Sequence, residues 1–361
     1  MRNEGDRLLD AVDEALEIGD RAGVPVHIFH LKAAGRHNWG KMPLAIARIQ
    51  EARARGQQVT ADIYPYINNG LGIAAFIHPR HFAEGHDRLV NRLERPELRA
   101  EIRQEMETTD GWENWYRHTG KEWDRVIVGR TSDKLYAKRA GESIAAIAKA
   151  CDEDPWETFF NLVRSGAFVL PETMTEANLM LAMRQPFISF CTDVGPATGG
   201  GLASHPRAAG AFPRLLSRYV RDLGVIPLEP AVGQASSTAY NDVMVYHRGR
   251  IAAGLVADLI LFDYGEVKEN ATFAKPQELA DGVRHVLVNG EVVLEEGKLT
   301  KARPGRVLRR PGYRPHLAPS AVATGETHPQ LASIDKVISE FLARHGTPGA
   351  AVAITDDSRH G

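Results

Sequence analysis

Residues 24–35 read VPVHIFHLKAAG, and the fold turns on this stretch. Val24, Val26 and Ile28 alternate with other residues in the two-residue period of a β-strand. The strand ends on His30, and Leu31 and Lys32 lead into a small-residue turn at Ala33-Ala34-Gly35. Upstream, Leu8, Leu9, Val12, Ala15, Leu16 and Ile18 recur at helical spacing, and Gly23 and Pro25 separate that helix from the strand. Downstream, residues 42–53 are amphipathic and helical, and residues 58–66 (QVTADIYPY) form a second strand. Helix, strand, helix, strand with short connections predicts a parallel sheet with crossover helices.

In such sheets chemistry gathers at the carboxyl ends of the strands. His30 and Lys32 lie at one such end, and Asp62, Tyr64 and Tyr66 at another. An imidazole there serves as a metal ligand or a proton carrier near neutral pH. The competing reading of His30 is a histidine that caps the core and bonds to backbone. His27 has the opposite strand parity and is expected to pack against a helix. Asp62 is expected to orient Tyr64 or His30.

At 361 residues the chain has room for two domains, or for one large barrel with an appendage. Its 44 basic and 46 acidic residues give a net charge of −2, which makes no electrostatic case for nucleic acid or an anionic membrane. Two cysteines, Cys151 and Cys191, form no disulfide framework, so a reducing cytoplasm is expected. No apolar run is long enough to span a membrane. The first residues, MRNEGDRLL, lack the apolar core of a signal peptide. They enter a helix almost at once, which suggests that earlier strands lie upstream of Met1.

From residue 70 to 123 the alternation of strand and helix breaks, and an insertion shaped like a lid is expected there, with residues 87–107 as one solvated helix. His78, His81 and His86 within it fit no ligand spacing and are expected to be solvated. Residues 125–129 and 167–171 are short strands, and 143–150, 155–164 and 176–184 are helices. Residues 186–193 (PFISFCTD) form a buried strand ending in Asp193. A carboxylate there needs partners to offset its desolvation, or else caps the following turn. His205 and Arg207 sit in a loop ahead of an amphipathic helix; Arg207 either grips a substrate carboxylate or is an ordinary helix-end charge. Residues 248–263 and 285–293 are β-rich, the second a hairpin around Asn289-Gly290, with Asp258 in a structural role. Residues 311–330 are a linker, and 331–361 begin a further α/β unit.

Together MRNEGDRLLDAVDEAL, VPVHIFHLKAAG, VTADIYPY, the strand ending in Asp193, HPRAAGAFPRLL, RGRIAAGLVADLILFD and VLVNG resemble the N-acyl-D-amino-acid deacylase (D-aminoacylase) family of metal-dependent amidohydrolases. The resemblance implies an α/β fold: a partial (β/α)8 barrel, TIM-like, over residues 1–225. A small flanking domain of β-sandwich type would cover 226–310. It further implies zinc at the barrel mouth, with His30 as metal ligand, Asp193 as catalytic acid and base, and Lys32 and Tyr64 beside the substrate. Arg207 is the candidate for the substrate carboxylate. The substrate would be a small N-acyl amino acid.

The family's His-x-His pair, its metal-binding cysteine and a histidine ahead of MRNEGD are expected upstream of Met1. The usual Gly-Ser-Asp-Gly is here Cys191-Thr192-Asp193-Val194, and Ile67-Asn68-Asn69-Gly70 replaces a small-residue run. Residues from about 331 resemble the start of a β-lactamase-like serine hydrolase, without its Ser-x-x-Lys. Two alternatives follow: an inactive fragment of a deacylase, or an appendage of a penicillin-binding type serine hydrolase. Open sheet edges in a partial barrel would favour self-association.

Overall fold

A computed structural model describes residues 1–195 and 204–309, together with Lys336 and Glu340. The chain divides into two compact units, Met1–Arg306 and Val307–Gly361. The linker and the β-lactamase-like start assigned to 311–361 lie outside the described residues, save those two positions.

Helix α1 (Leu8–Ala22) buries Leu8, Val12 and Leu16 along one stripe and stops where Gly23 takes up a left-handed φ of +63°. Strand β1 (Val26–Ile28), helix α2 (Lys41–Ala54) and strand β2 (Val59–Ile63) follow, with β1 and β2 parallel. The chain then leaves this sheet. Strands β3 (Leu71–Gly72), β4 (Val126–Arg130) and β5 (Phe168–Pro171) form an antiparallel sheet of their own, in the order β3-β5-β4. Only β6 (Ile188–Phe190) returns, parallel to β2, to give the order β1-β2-β6. The departure from the first sheet therefore runs well past residue 123, and the strands expected at 125–129 and 167–171 belong to it.

One face of the parallel sheet is apolar. Ile28, Val59, Ala61, Ile63, Ile188 and Phe190 pack with Leu8, Met42 and Ile49 in a single core. Truncating a fully buried side chain such as Ile49 to alanine would cost about 2–5 kcal/mol. The alternate positions are polar: His27, Thr60, Asp62 and Ser189. His27 meets a helix end, its Nδ1 3.6 Å from Asp242 of the helix Ala239–Asp242, but its contacts are polar rather than apolar. Its ring bonds Thr60 at 2.8 Å and Asp62 at 3.0 Å, because that face is lined with acceptors.

A second core, built on Phe76, Trp123, Trp156 and Phe159, stabilises the excursion. The single helix expected at 87–107 is two, His86–Arg92 and Pro96–Thr108, since Pro96 has no N–H to continue a helix and starts a new one. His81 is buried there and bonded to Glu105 at 2.7 Å; the carboxylate holds the imidazole out of solvent. Pro213 interrupts the helix Arg207–Arg214, and the next turns widen into a π-helix over Leu215–Asp222.

Strands β7 (Leu259–Phe262), β8 (Val283–Val288), β9 (Glu291–Glu295) and β10 (Lys298–Leu299) form one antiparallel sheet in the order β10-β9-β8-β7. Asn289 and Gly290, both at positive φ, make the expected hairpin turn. Residues 248–258 are not a strand. Among the described residues no second sheet completes a sandwich, and none of the four strands is buried.

Candidate active site at the strand ends

Because β1, β2 and β6 run parallel, the residues that follow them converge on one edge of the sheet. His30 lies two residues beyond β1, Tyr64 directly after β2, and Asp193 three residues beyond β6. His30 and Asp193 both hold left-handed backbone conformations, with φ of +43° and +49°. For non-glycine residues that costs on the order of 1 kcal/mol each and is a mark of functional strand ends. At His30 the conformation is held by Asp62, whose Oδ1 accepts the His30 N–H at 2.5 Å.

Charge is concentrated around the Tyr64 ring. Lys32 is only 4% exposed, and its Nζ lies 5.5 Å from the ring centroid. The Arg207 guanidinium, equally buried, lies 4.4 Å from the same centroid. Each cation has a carboxylate. Lys32 Nζ donates to Glu4 Oε1 at 3.1 Å, and Arg207 Nη1 stands 2.8 Å from Asp193 Oδ2. Lys32 Nζ also reaches His30 Nδ1 at 2.8 Å. Burial pushes the Lys32 ammonium below its ordinary pKa and, with the neighbouring Lys32 charge, lowers that of His30. The charge of Asp193 opposes the shift at both groups, as expected of one shared site. Burial raises the Tyr64 hydroxyl and the Cys191 thiol, so both stay protonated.

His205 backs the site. Its Nδ1 accepts the Arg207 N–H at 3.1 Å, its Nε2 faces Asn68 O at 3.1 Å, and burial pushes its pKa down to about 3. The site thus brings His30, Lys32, Tyr64, Asp193 and Arg207 to one edge. It adds Glu4, which sequence reading missed because residues 1–7 carry no strand pattern. The signal was Lys32 itself, since a lysine at a strand end needs a carboxylate once it is buried.

No protein-family model matches the chain. D-aminoacylase of Alcaligenes xylosoxydans xylosoxydans is 30% identical over 316 residues, which is 86% of this chain and 54% of that protein. N-acyl-D-glutamate deacylase of the same organism is 31% identical over 314 residues. A crystal structure of D-aminoacylase superposes with a TM-score of 0.64 at 28% identity, covering 86% of this chain and 55% of the other. The chain is similar to the N-acyl-D-amino-acid deacylases. It spans about half the length of the deacylases it matches. N-acyl-D-glutamate deacylase from Bordetella bronchiseptica, solved with zinc and a phosphonate inhibitor, gives the same TM-score of 0.64 at 26% identity.

Those deacylases have an amidohydrolase fold of TIM-barrel type, and this mixed α/β chain superposes on 55% of the D-aminoacylase structure. A catalytic zinc site takes three protein ligands and an open position. His30 joins no set of three His, Cys, Asp or Glu donors close enough to share an ion among the described residues. Its Nδ1 is taken by Lys32, Asp62 is bonded to its backbone N–H, and Asp193 is held by Arg207. The described residues alone do not complete a deacylase zinc site.

Proposed function

We propose that this chain supplies the substrate-facing part of a zinc-dependent hydrolase that removes the acyl group from N-acyl-D-amino acids. One observation carries the reading: two buried cations, Lys32 and Arg207, flank a single tyrosine ring at the strand ends. Buried cations with exchangeable carboxylate partners are suited to an anionic ligand. The substrate carboxylate would replace Asp193 on Arg207, with Lys32 and the Tyr64 hydroxyl alongside.

Asp193, released in this way, would take a proton from water as the oxygen attacks the acyl carbonyl. It would return the proton to the amine nitrogen as the C–N bond breaks. The products are a carboxylic acid and a free D-amino acid. His30 is the residue assigned to the zinc; the ion's other ligands lie beyond the residues described, and no step is drawn through it. The three parallel strands are read as a section of a (β/α)8 barrel within residues 1–225, and the sheet β7–β10 as its flanking domain within 226–310. The free thiols of Cys151 and Cys191 suit a cytoplasmic setting.

Purified protein incubated with N-acetyl-D-amino acids and their L enantiomers, with and without zinc, tests this by release of free amine. Release from the D series alone, abolished by Asp193→Asn and shifted to higher KM by Arg207→Met, is the expected result. The ligand set at His30 favours a second reading, binding without turnover. Calorimetric binding of the D substrate without amine release would establish it. Neither binding nor release would overturn both.

A further inference from the structure

A second cluster lies near that site but is separate from it. Asp6 precedes α1, His37 sits in the turn Arg36–Asn38, and His118 closes the short helix Trp115–His118. One oxygen of Asp6 and one nitrogen of each imidazole lie within 4.8 Å of one another. We propose that Asp6, His37 and His118 form a binding site for a divalent transition metal of the zinc class.

The decisive group is His118. It is 2% exposed, and neither ring nitrogen has a hydrogen-bond partner. A buried imidazole with both nitrogens unsatisfied carries an unrelieved desolvation cost, and a metal on one of them would relieve that nitrogen's share. Two glycines make room for the ring. A Cβ on Gly5 would stand 2.6 Å from His118 Nε2, and one on Gly35 would stand 2.6 Å from Nδ1. The His37 ring stacks on it with centroids 5.6 Å apart, and Trp115 closes one edge at 5.5 Å.

The other two ligands are already oriented. Asp6 Oδ1 bonds His37 Nε2 at 2.6 Å and accepts from Asn38 Nδ2 at 3.0 Å. Arg117 stands 3.3 Å from Oδ2, holding the carboxylate from its far side. Tetrahedral coordination at bond lengths near 2.1 Å sets ligand atoms about 3.4 Å apart, so the Asp6–His37 contact at 2.6 Å must open to admit the ion. His37, one-third exposed, has the freedom to do so. Two imidazoles with one carboxylate favour zinc-class ions over calcium or magnesium. A water would fill the fourth position.

Such an ion would clasp three segments: the amino-terminal stretch, the turn after β1 and the excursion carrying His118. It would also fix Glu4, two residues before Asp6, whose carboxylate holds Lys32.

The test is cobalt titration of chelator-treated protein, read by visible d–d absorption and by metal content. The variants are His37→Ala, Asp6→Asn, His118→Gln and, as a control outside both sites, the exposed His86→Asn. Wild type and His86→Asn are expected to bind cobalt with the same intense bands. His37→Ala, at a position exposed enough to fold normally, and Asp6→Asn should weaken binding at least tenfold. Zinc should raise the Tm of wild type and leave that of His37→Ala unmoved. Unchanged cobalt binding in His37→Ala, or bands lost in His86→Asn instead, would overturn the assignment.

Discussion

Glu4 and Asp6 stand two residues apart, yet the two sites they enter treat histidine in opposite ways. At the strand ends His30 is partly exposed, and its Nδ1 is occupied by a lysine that a carboxylate neutralises. At the Asp6 cluster His118 is sealed from solvent with both nitrogens empty. The first arrangement is a lattice of paired charges, suited to exchanging one carboxylate for another. The second is one carboxylate, bonded to His37 and facing Arg117, beside a buried imidazole that has no partner. Deep burial ionises side chains only where a counter-charge is built beside them, and only the strand-end site has two such pairs around one ring.

The largest effect that tests this contrast is on stability. Arg207→Met removes a buried cation from the Tyr64 ring and leaves Asp193 without its partner. Urea unfolding should show a loss of about 3 kcal/mol, the scale of a broken buried pair. His37→Ala, measured without metal, should change stability by less than about 0.5 kcal/mol, as exposed sites do. Equal losses in the two variants would break the distinction between a charge lattice and an empty donor set.

Next in size is Gly35→Ala. Gly35 has φ +94°, and an added Cβ would collide with the His118 ring. A loss of about 2 kcal/mol is expected, together with loss of cobalt binding. Gly23→Ala is the control. It shares a positive φ but meets nothing within 4 Å, so about 1 kcal/mol is expected. Similar losses at both glycines would mean that conformation alone matters and that the pocket around His118 is not shaped for its ring.

Much of the strand-end site was legible in the sequence because strand periodicity is local. The alternation through Val26 and Ile28 and the apolar run before Asp193 place both strand tips, and parallel order brings them to one edge. Family resemblance then supplied roles that periodicity alone leaves open. What the sequence did not disclose depends on pairing between distant segments. Residues 126–130 look like a strand of the first sheet until their antiparallel partner, 168–171, is known. Asp6, His37 and His118 come from three segments with no spacing motif among them. Glu4 and His81 likewise acquire meaning only from the groups that fold against them.

Acid should act through the buried neutral histidines. His118 and His205 titrate near 4 and 3 when folded, because burial disfavours their charged forms, against about 6.5 unfolded. A depressed histidine pKa gives stability that is present above 6.5 and is lost as pH falls toward the folded value. Between pH 6.5 and 4.5 each should lose on the order of 1 kcal/mol per pH unit. Thermal melts across that range should fall steeply for metal-free wild type and less steeply for His118→Gln. Identical slopes would show that His118 does not enter the folded state neutral.

The smallest effect isolates the bond between lysine and imidazole that separates the strand-end site from its neighbour. Lys32→Met keeps the length of the buried side chain and removes its charge. Glu4 Oε1 would then face His30 Nδ1, 3.2 Å away, without the competing ammonium. With the lysine's repulsion gone and the pull of Glu4 and Asp193 remaining, the His30 pKa should rise from its lowered position. An imidazolium would then take over the lysine's role as counter-ion, which holds the stability loss to about 1 kcal/mol. An NMR titration of the His30 ring protons, assigned by comparison with His30→Gln, reads the midpoint directly. A midpoint that stays put would mean that Lys32 leaves the imidazole's charge untouched.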